Sequence, residues 1–175
     1  MLNNLIKEQN DIILSFKSGC NLKIDYVTES RKMPILLDLI LINEHKTKSL
    51  IITNSIMSQL NIQTMINDYS LNEWCEVYTY YSYASKIYNK IVYNDLILYK
   101  CLLEEPENNP QIPILILDNV QDISHLYHKL TSKIIYDKQT IILIGDSRQC
   151  INDNVIFDSK YFNTGRLWKE LTLSK

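Results

Sequence analysis

Glycine and proline are scarce, three and four in 175 residues, which excludes collagen-like and linker-rich architectures. Any motif that needs unusual backbone angles has few residues to draw on. An excess of one charge is lacking too: 18 Lys and Arg against 20 Asp and Glu leave a net charge of −2. Long-range attraction to nucleic acid is therefore not expected, though weak binding through a local patch stays open. No apolar run reaches the ~18 residues of a membrane span, and no charged-then-apolar leader precedes Leu2. The expectation is an intracellular, cytoplasmic protein with no membrane partner. The cysteines, Cys20, Cys75, Cys101 and Cys150, form no C-x-x-C pair, so buried reduced thiols are expected rather than a metal framework or disulfide scaffold. His125 and His128 stand three apart on an expected helix, but no cysteine or further histidine lies nearby to complete a metal site.

What is present is a core. Hydrophobic residues make up 46% of the chain and charged ones 22%, which suits a single globular domain over residues 1–175. The stretch Ile114–Asp122 stands out, with four apolar residues running straight into Asp118 without period-2 alternation. Strands buried on both faces look like this, and they belong to parallel sheets covered by helices. A second such run, Thr140–Ile144, ends in Gly145-Asp146-Ser147-Arg148-Gln149. Open α/β sheets place ligands at the carboxyl ends of their strands. Two strands that both end in Asp therefore point to a nucleotide–metal site or its remains.

In chain order, Leu2–Phe16 has helical apolar spacing, and Gly19 suits its C-terminal cap. Leu22–Val27 reads as a strand. A buried helix is expected over Ile35–Asn43, with Pro34 in its first turn. Ser49–Thr53 is the next strand, and Asn54 suits the cap of a helix over Ser55–Asn67. Cys75–Tyr80 is strand-like and Tyr81–Val92 helix-like, with helix continuing through Asn94–Glu105. Tyr78, Tyr80, Tyr81, Tyr83 and Tyr88 fall together here; such tyrosines either stack on bases or fill half-buried faces. Pro106–Pro113 is a loop, Ile123–Tyr136 an amphipathic helix, and Phe157–Leu171 mostly helix. Alternating strand and helix patterns argue an α/β fold built from βαβ units.

The order of these signals resembles the first RecA-like domain of superfamily 1 DNA helicases of the UvrD/Rep type, closest in flavour to those of large DNA viruses. Leu5-Ile6-Lys7-Glu8-Gln9 resembles the element whose glutamine, here Gln9, reads adenine. Ile24-Asp25-Tyr26-Val27-Thr28-Glu29-Ser30-Arg31-Lys32-Met33-Pro34 sits where the family has its phosphate loop. Leu50-Ile51-Ile52-Thr53-Asn54 and Val77-Tyr78-Thr79-Tyr80-Tyr81-Ser82-Tyr83 resemble elements that face single-stranded DNA in the family, which implies Thr53, Asn54, Thr79, Tyr81 and Ser82 as contacts. Leu117-Asp118-Asn119-Val120-Gln121-Asp122 is similar to the Walker B motif. Gly145-Asp146-Ser147-Arg148-Gln149-Cys150-Ile151 is similar to the motif that couples ATP to DNA, and Phe157–Phe162 continues it. The resemblance implies a RecA-like, P-loop NTPase sheet with helices on both faces. It also implies ATP and Mg²⁺ as cofactors, held by Gln9, Ser30, Arg31, Lys32, Met33, Asp118 and Asp146. Asp118 would be the metal ligand and Gln149 the γ-phosphate sensor.

The departures from the family pattern bear on chemistry. A phosphate loop uses glycines so that backbone N–H groups can approach phosphates closely. Here Glu29 and Arg31 hold those positions, and Glu29 adds negative charge. Met33 replaces the hydroxyl that would ligate Mg²⁺, and a thioether is a poor ligand for a hard cation. Lys32 stands at the lysine position, either as a retained phosphate ligand or as an ordinary surface residue. Asn119 replaces the general-base glutamate, a loss of typically ~10²–10⁴-fold in rate. Tyr81 replaces the family's histidine. Gln121, Asp122, Asp146 and Gln149 would then serve either the site or merely the tying of loops.

No second RecA-like domain, which a motor needs to close on ATP, is expected after Lys175. The expectation is a degenerate, truncated helicase-like domain without autonomous ATPase or helicase activity. It would keep a weak contact to single-stranded DNA or to a partner protein. The alternative is a residual ATP-binding helicase subunit completed by a partner chain.

Overall fold

Five strand-like segments that alternate with helical ones leave the chain little choice but to stack strands side by side and cover both faces with helices. A computed structural model describes residues 2–26, 32–43, 47–149, 162 and 165–173, with side chains from Lys7 onward. Its strands are β1 (Asn21–Tyr26), β2 (Ser49–Thr53), β3 (Cys75–Thr79), β4 (Ile114–Asp118), β5 (Thr140–Gly145) and β6 (Trp168–Leu173). The helices are α1 (Leu2–Lys17), α2 (Lys32–Leu41), α3 (Ile56–Asp68), α4 (Tyr80–Tyr88), α5 (Asp95–Leu102) and α6 (His125–Ile134). The strands form one sheet in the order β3-β2-β4-β5-β1-β6, and every pairing is parallel. The expected α/β architecture is therefore present. No described helix is long and apolar enough to cross a membrane.

Strand β4 lies between β2 and β5, with Leu50 opposite Leu115 and Leu115 opposite Ile141. All its residues are buried, as are those of β2 and β5, which explains the absence of alternation in these three strands. One face of the sheet carries α1, α2 and α3, with Ile24, Ile51, Ile116 and Ile142 meeting Ile12, Leu36, Leu39 and Ile62. The other face carries α4, α5 and α6, with Leu50, Leu115, Leu117 and Leu143 meeting Ala84, Ile87, Leu98 and Leu130. Tyr80, Tyr83 and Tyr88 are buried in this second core, so three of the clustered tyrosines are packing residues. Tyr80 stacks face to face on Tyr127 at 4.2 Å. Cys75 and Cys101 are buried free thiols in the two separate cores, and burial pushes the Cys75 thiol up to about 12.

Two expectations need correction. The C-terminal stretch was expected to be helical through Leu171, yet Trp168–Leu173 is strand β6, paired along its length with β1. Leu167, Trp168 and Leu171 have helix-like spacing, but tertiary pairing decides. Trp168 packs toward one core, and Leu171 and Leu173 toward the other. Asn54 was expected to cap α3, but the cap is Ser55, whose Oγ accepts from the Ser58 N–H at 3.1 Å. Asn54 is drawn away to Asp122, donating from Nδ2 to Oδ2 at 2.9 Å. Helix is also interrupted between α4 and α5, where Asn89 adopts a left-handed conformation and Asn94 starts a new helix.

The cap assignment predicts distinct outcomes for two neighbouring substitutions. Ser55→Ala should cost about 1 kcal/mol in urea unfolding, the usual value of a lost N-cap. Asn54→Ala should leave the helix content of α3 unchanged by circular dichroism. Loss of helicity in Asn54→Ala with none in Ser55→Ala would reverse the assignment.

Candidate functional site

Parallel pairing brings the last residues of β1, β2, β4 and β5 to one edge of the sheet, and the polar residues of the sequence motifs end there together. Asp118 closes β4 and is 0% exposed. Its Oδ2 accepts from Lys32 Nζ at 3.2 Å and from Thr53 Oγ1 at 3.1 Å, and its Oδ1 lies 3.2 Å from the same ammonium. Burial pushes the Asp118 carboxyl above the ordinary carboxylate value, and Lys32 and Thr53 pull it back. Lys32 is only 7% exposed, so it is not a surface lysine; it opens α2 as the counter-charge of Asp118.

Asn119 is the junction of the site. Its backbone is left-handed, at φ 55° and ψ 47°, a conformation that asparagine tolerates better than most residues. Oδ1 accepts from Tyr26 Oη at 2.9 Å and from Lys32 Nζ at 3.2 Å. Nδ2 donates to Ser58 Oγ at 3.3 Å and Asn54 Oδ1 at 3.4 Å. One side chain thus joins β1, α2, α3 and the loop after β2. An amide can both donate and accept; a carboxylate in its place could only accept.

The loop after β5 is tied in separately. Gln121 Oε1 accepts from the Asp146 N–H at 3.2 Å. The Asp146 carboxylate accepts from Arg148 through its backbone N–H, Nε and Nη2, and from Gln149 Nε2 at 3.1 Å. Hydrogen bonding to Arg148 holds the Asp146 carboxyl below the usual carboxylate range. Gly145 is required by space: a Cβ there would meet Gln121 Oε1 at 2.7 Å and Val120 Cγ2 at 2.8 Å. Asp25 joins the same loop to β1, accepting from Ser147 N–H at 2.9 Å and Ser147 Oγ at 2.6 Å.

The remaining expected residues divide. Met33 is half-buried in the first turn of α2 and lines a small cleft with Lys32, Ser58 and Asn61. Gln9 is half-buried on α1, and no hydrogen bond among the described residues joins it to the network. Ser30 and Arg31, with Glu29, lie outside the described residues, as does the Phe157–Tyr161 continuation. Thr53, expected to face a nucleic-acid strand, is 0% exposed and spends its hydroxyl on Asp118. Thr79 and Ser82 form a reciprocal capping box at the start of α4, the Ser82 N–H reaching Thr79 Oγ1 and the Thr79 N–H reaching Ser82 Oγ. Tyr81 is half-buried, its Oη donating to Asp95 Oδ1 at 2.8 Å. Sequence reasoning gave no role to Asp25, Tyr26 or Ser58, although the first two lie in the stretch that resembles the phosphate loop. For the first two the available signal was position, since they close a strand parallel to β5.

Comparison with known proteins fixes the lineage. Residues 2–153 match the model of the UvrD/REP helicase N-terminal domain. The chain belongs to that family. Its sheet is accordingly the P-loop NTPase type of a helicase-like ATP-binding domain. Comparison with curated proteins gives no match. Among solved structures, the chain is similar to domain III of the Thermotoga maritima replication initiation protein DnaA, at 16% identity and a TM-score of 0.38. That similarity covers 96% of this chain and spans 62% of the other.

Two outcomes follow for this helicase-like edge. Lys32→Met strips a buried carboxylate of its counter-charge and should cost about 3–5 kcal/mol in denaturant unfolding. Lys32→Met/Asp118→Asn should regain part of that; a Lys32→Met loss below about 1 kcal/mol would deny the pair its structural role. Asp146 has a lowered native pKa, so its contribution to stability is present above the unfolded value of 3.8 and is lost as pH falls through the native value. Asp146→Asn should therefore flatten the acid limb of stability against pH, as read from urea midpoints. An unchanged slope would contradict the linkage.

Proposed function

We propose that this UvrD-like domain acts by binding and does not hydrolyse ATP by itself. The observation that carries the reading is the state of Asn119. At the position where the family resemblance calls for a general base stands an amide, which takes up no proton at any useful pH. Both of its polar atoms are already engaged, with Tyr26 and Lys32 on one side and Asn54 and Ser58 on the other.

The neighbouring residues also fit poorly with a hydrolytic magnesium–nucleotide set. Asp118 Oδ1 is buried without a hydrogen-bond donor, which is the opening a cation would fill, but the Lys32 ammonium lies 3.2 Å from it. Met33 offers sulfur where a hard cation wants oxygen. The cleft between Lys32, Met33 and α3 measures about 90 Å³, against the roughly 300 Å³ or more of a typical small-molecule site. A binding role toward single-stranded DNA would draw on Asn54, Tyr81 and Ser82, the half-buried members of the expected contacts. Such binding would be weak and salt-sensitive.

A second reading, a nucleotide-binding subunit completed by a partner chain, is favoured by one observation. Lys32 and Asp118 stand paired at the two positions the resemblance assigns to phosphate and metal. Thermal shift with Mg²⁺·ATP separates the two, since a ligand at 100 times its Kd stabilises by ~2.7 kcal/mol. The first reading expects no shift at millimolar Mg²⁺·ATP and no phosphate release above a Lys32→Ala control. It also expects anisotropy of a labelled single strand to rise at low salt and fall with added salt. Turnover by the purified chain that Lys32→Ala abolishes would sink it.

A further inference from the structure

A cavity among the described residues lies at the opposite edge of the sheet from Asp118 and Asn119. It is a cleft of about 330 Å³ where α1 and α2 end and β4 and β5 begin. Phe16, Ile42, Pro113 and Ile114 supply its apolar lining. Its rim carries Lys17, Lys138 and Arg166, and no carboxylate is among its described lining residues. Asp137, beside Lys138 in sequence, does not line the cleft; its Oδ1 lies against Gly165, next to Arg166.

The rim is built rather than incidental. Arg166 is fixed by two backbone carbonyls, Nε donating to Lys138 O at 2.7 Å and Nη1 to Gly19 O at 2.8 Å. Its Nη2 donors receive no protein acceptor among the described residues. Gly19 allows this approach, with φ at 76° and room for a Cβ only at 3.1 Å from Arg166 Nη1. Lys138 holds a left-handed backbone at φ 67°, a strained conformation for a lysine. The far wall is closed by a reciprocal pair, Asn43 Nδ2 donating to Thr47 O at 2.6 Å and Thr47 Oγ1 to Asn43 Oδ1 at 2.8 Å. A cleft of this size, lined by apolar and polar residues in comparable share, has room for a small molecule.

We propose that the amino edge of the sheet binds a small anion with an apolar body, its phosphate or carboxylate head held by Arg166 and Lys138. Guanidinium donors suit either head, and the ammonium adds a point charge. The apolar body lies against Phe16 and Ile114. This site is independent of the nucleotide edge and of any reading of it.

Isothermal titration of the full chain with phenyl phosphate, benzoate, inorganic phosphate and uncharged benzamide tests the assignment. Saturable binding of phenyl phosphate or benzoate at one site is expected, and which of them binds tighter identifies the head group. Inorganic phosphate should bind more weakly and benzamide not at all, and Mg²⁺·ATP should not displace the bound anion. Lys138→Glu, an exposed change, should weaken the anion about tenfold or more while leaving the melting temperature of the free protein in place. Lys138→Gln should fall between. The proposal is overturned if neither aromatic anion saturates, if benzamide binds equally, or if Lys138→Glu leaves the affinity unchanged.

Discussion

The buried pair of Lys32 and Asp118 is the constraint around which the carboxyl edge is arranged. A carboxylate at the end of the central strand, closed off from water, is tolerable only with a counter-charge and donors at hand. Lys32 supplies the first, at 3.2 Å, and Thr53 and Lys32 supply the second. Because Lys32 sits in the first turn of α2 and Thr53 ends β2, satisfying one carboxylate fixes a helix and a neighbouring strand relative to β4. Asn119 extends the same arrangement to β1 and α3. The polar edge of this domain therefore holds together through its own side chains.

That self-sufficiency bears on function. In a working nucleotide site, donors and charges at a strand edge are left waiting for phosphate and metal. Here the amide of Asn119, the ammonium of Lys32 and the carboxylate of Asp146 each have protein partners. The scaffold of the UvrD/REP helicase N-terminal domain is kept, and the groups that resemble its motifs are turned toward one another. At the opposite edge, Lys17, Lys138 and Arg166 border a cleft of about 330 Å³.

Much of the fold was legible in the sequence, for a physical reason. Strands β2, β4 and β5 are buried on both faces, so their unbroken apolar runs could hardly be anything else, and Ser49–Thr53 was placed to the residue. Edge strand β6 was misread because Trp168 serves one core and Leu171 the other, so its pattern lacked the density of a central strand. Of the site, the residue types were legible and their partners were not. Asn119 was legible as an amide where the family resemblance calls for a general base, but nothing local foretold that Tyr26, 93 positions earlier, would donate to it. Lys32 looked ordinary because burial is a property of the assembled edge, not of Arg31-Lys32 as a dipeptide. Asn54 and Ser55 were both good caps, and the choice between them was made by Asp122, far along the chain.

Strand β1 lies between β5 and β6, partners that follow it by more than a hundred positions. During synthesis from the amino terminus, Leu22 and Ile24 emerge with no neighbour to hydrogen-bond, and both flanks stay open until the last third of the chain has left the ribosome. Contacts so distant in sequence slow folding, and open apolar strand edges invite association with other chains. Production of this domain should thus be limited less by its finished stability than by the interval before β1 is enclosed. Slower translation and holding chaperones would act on that interval.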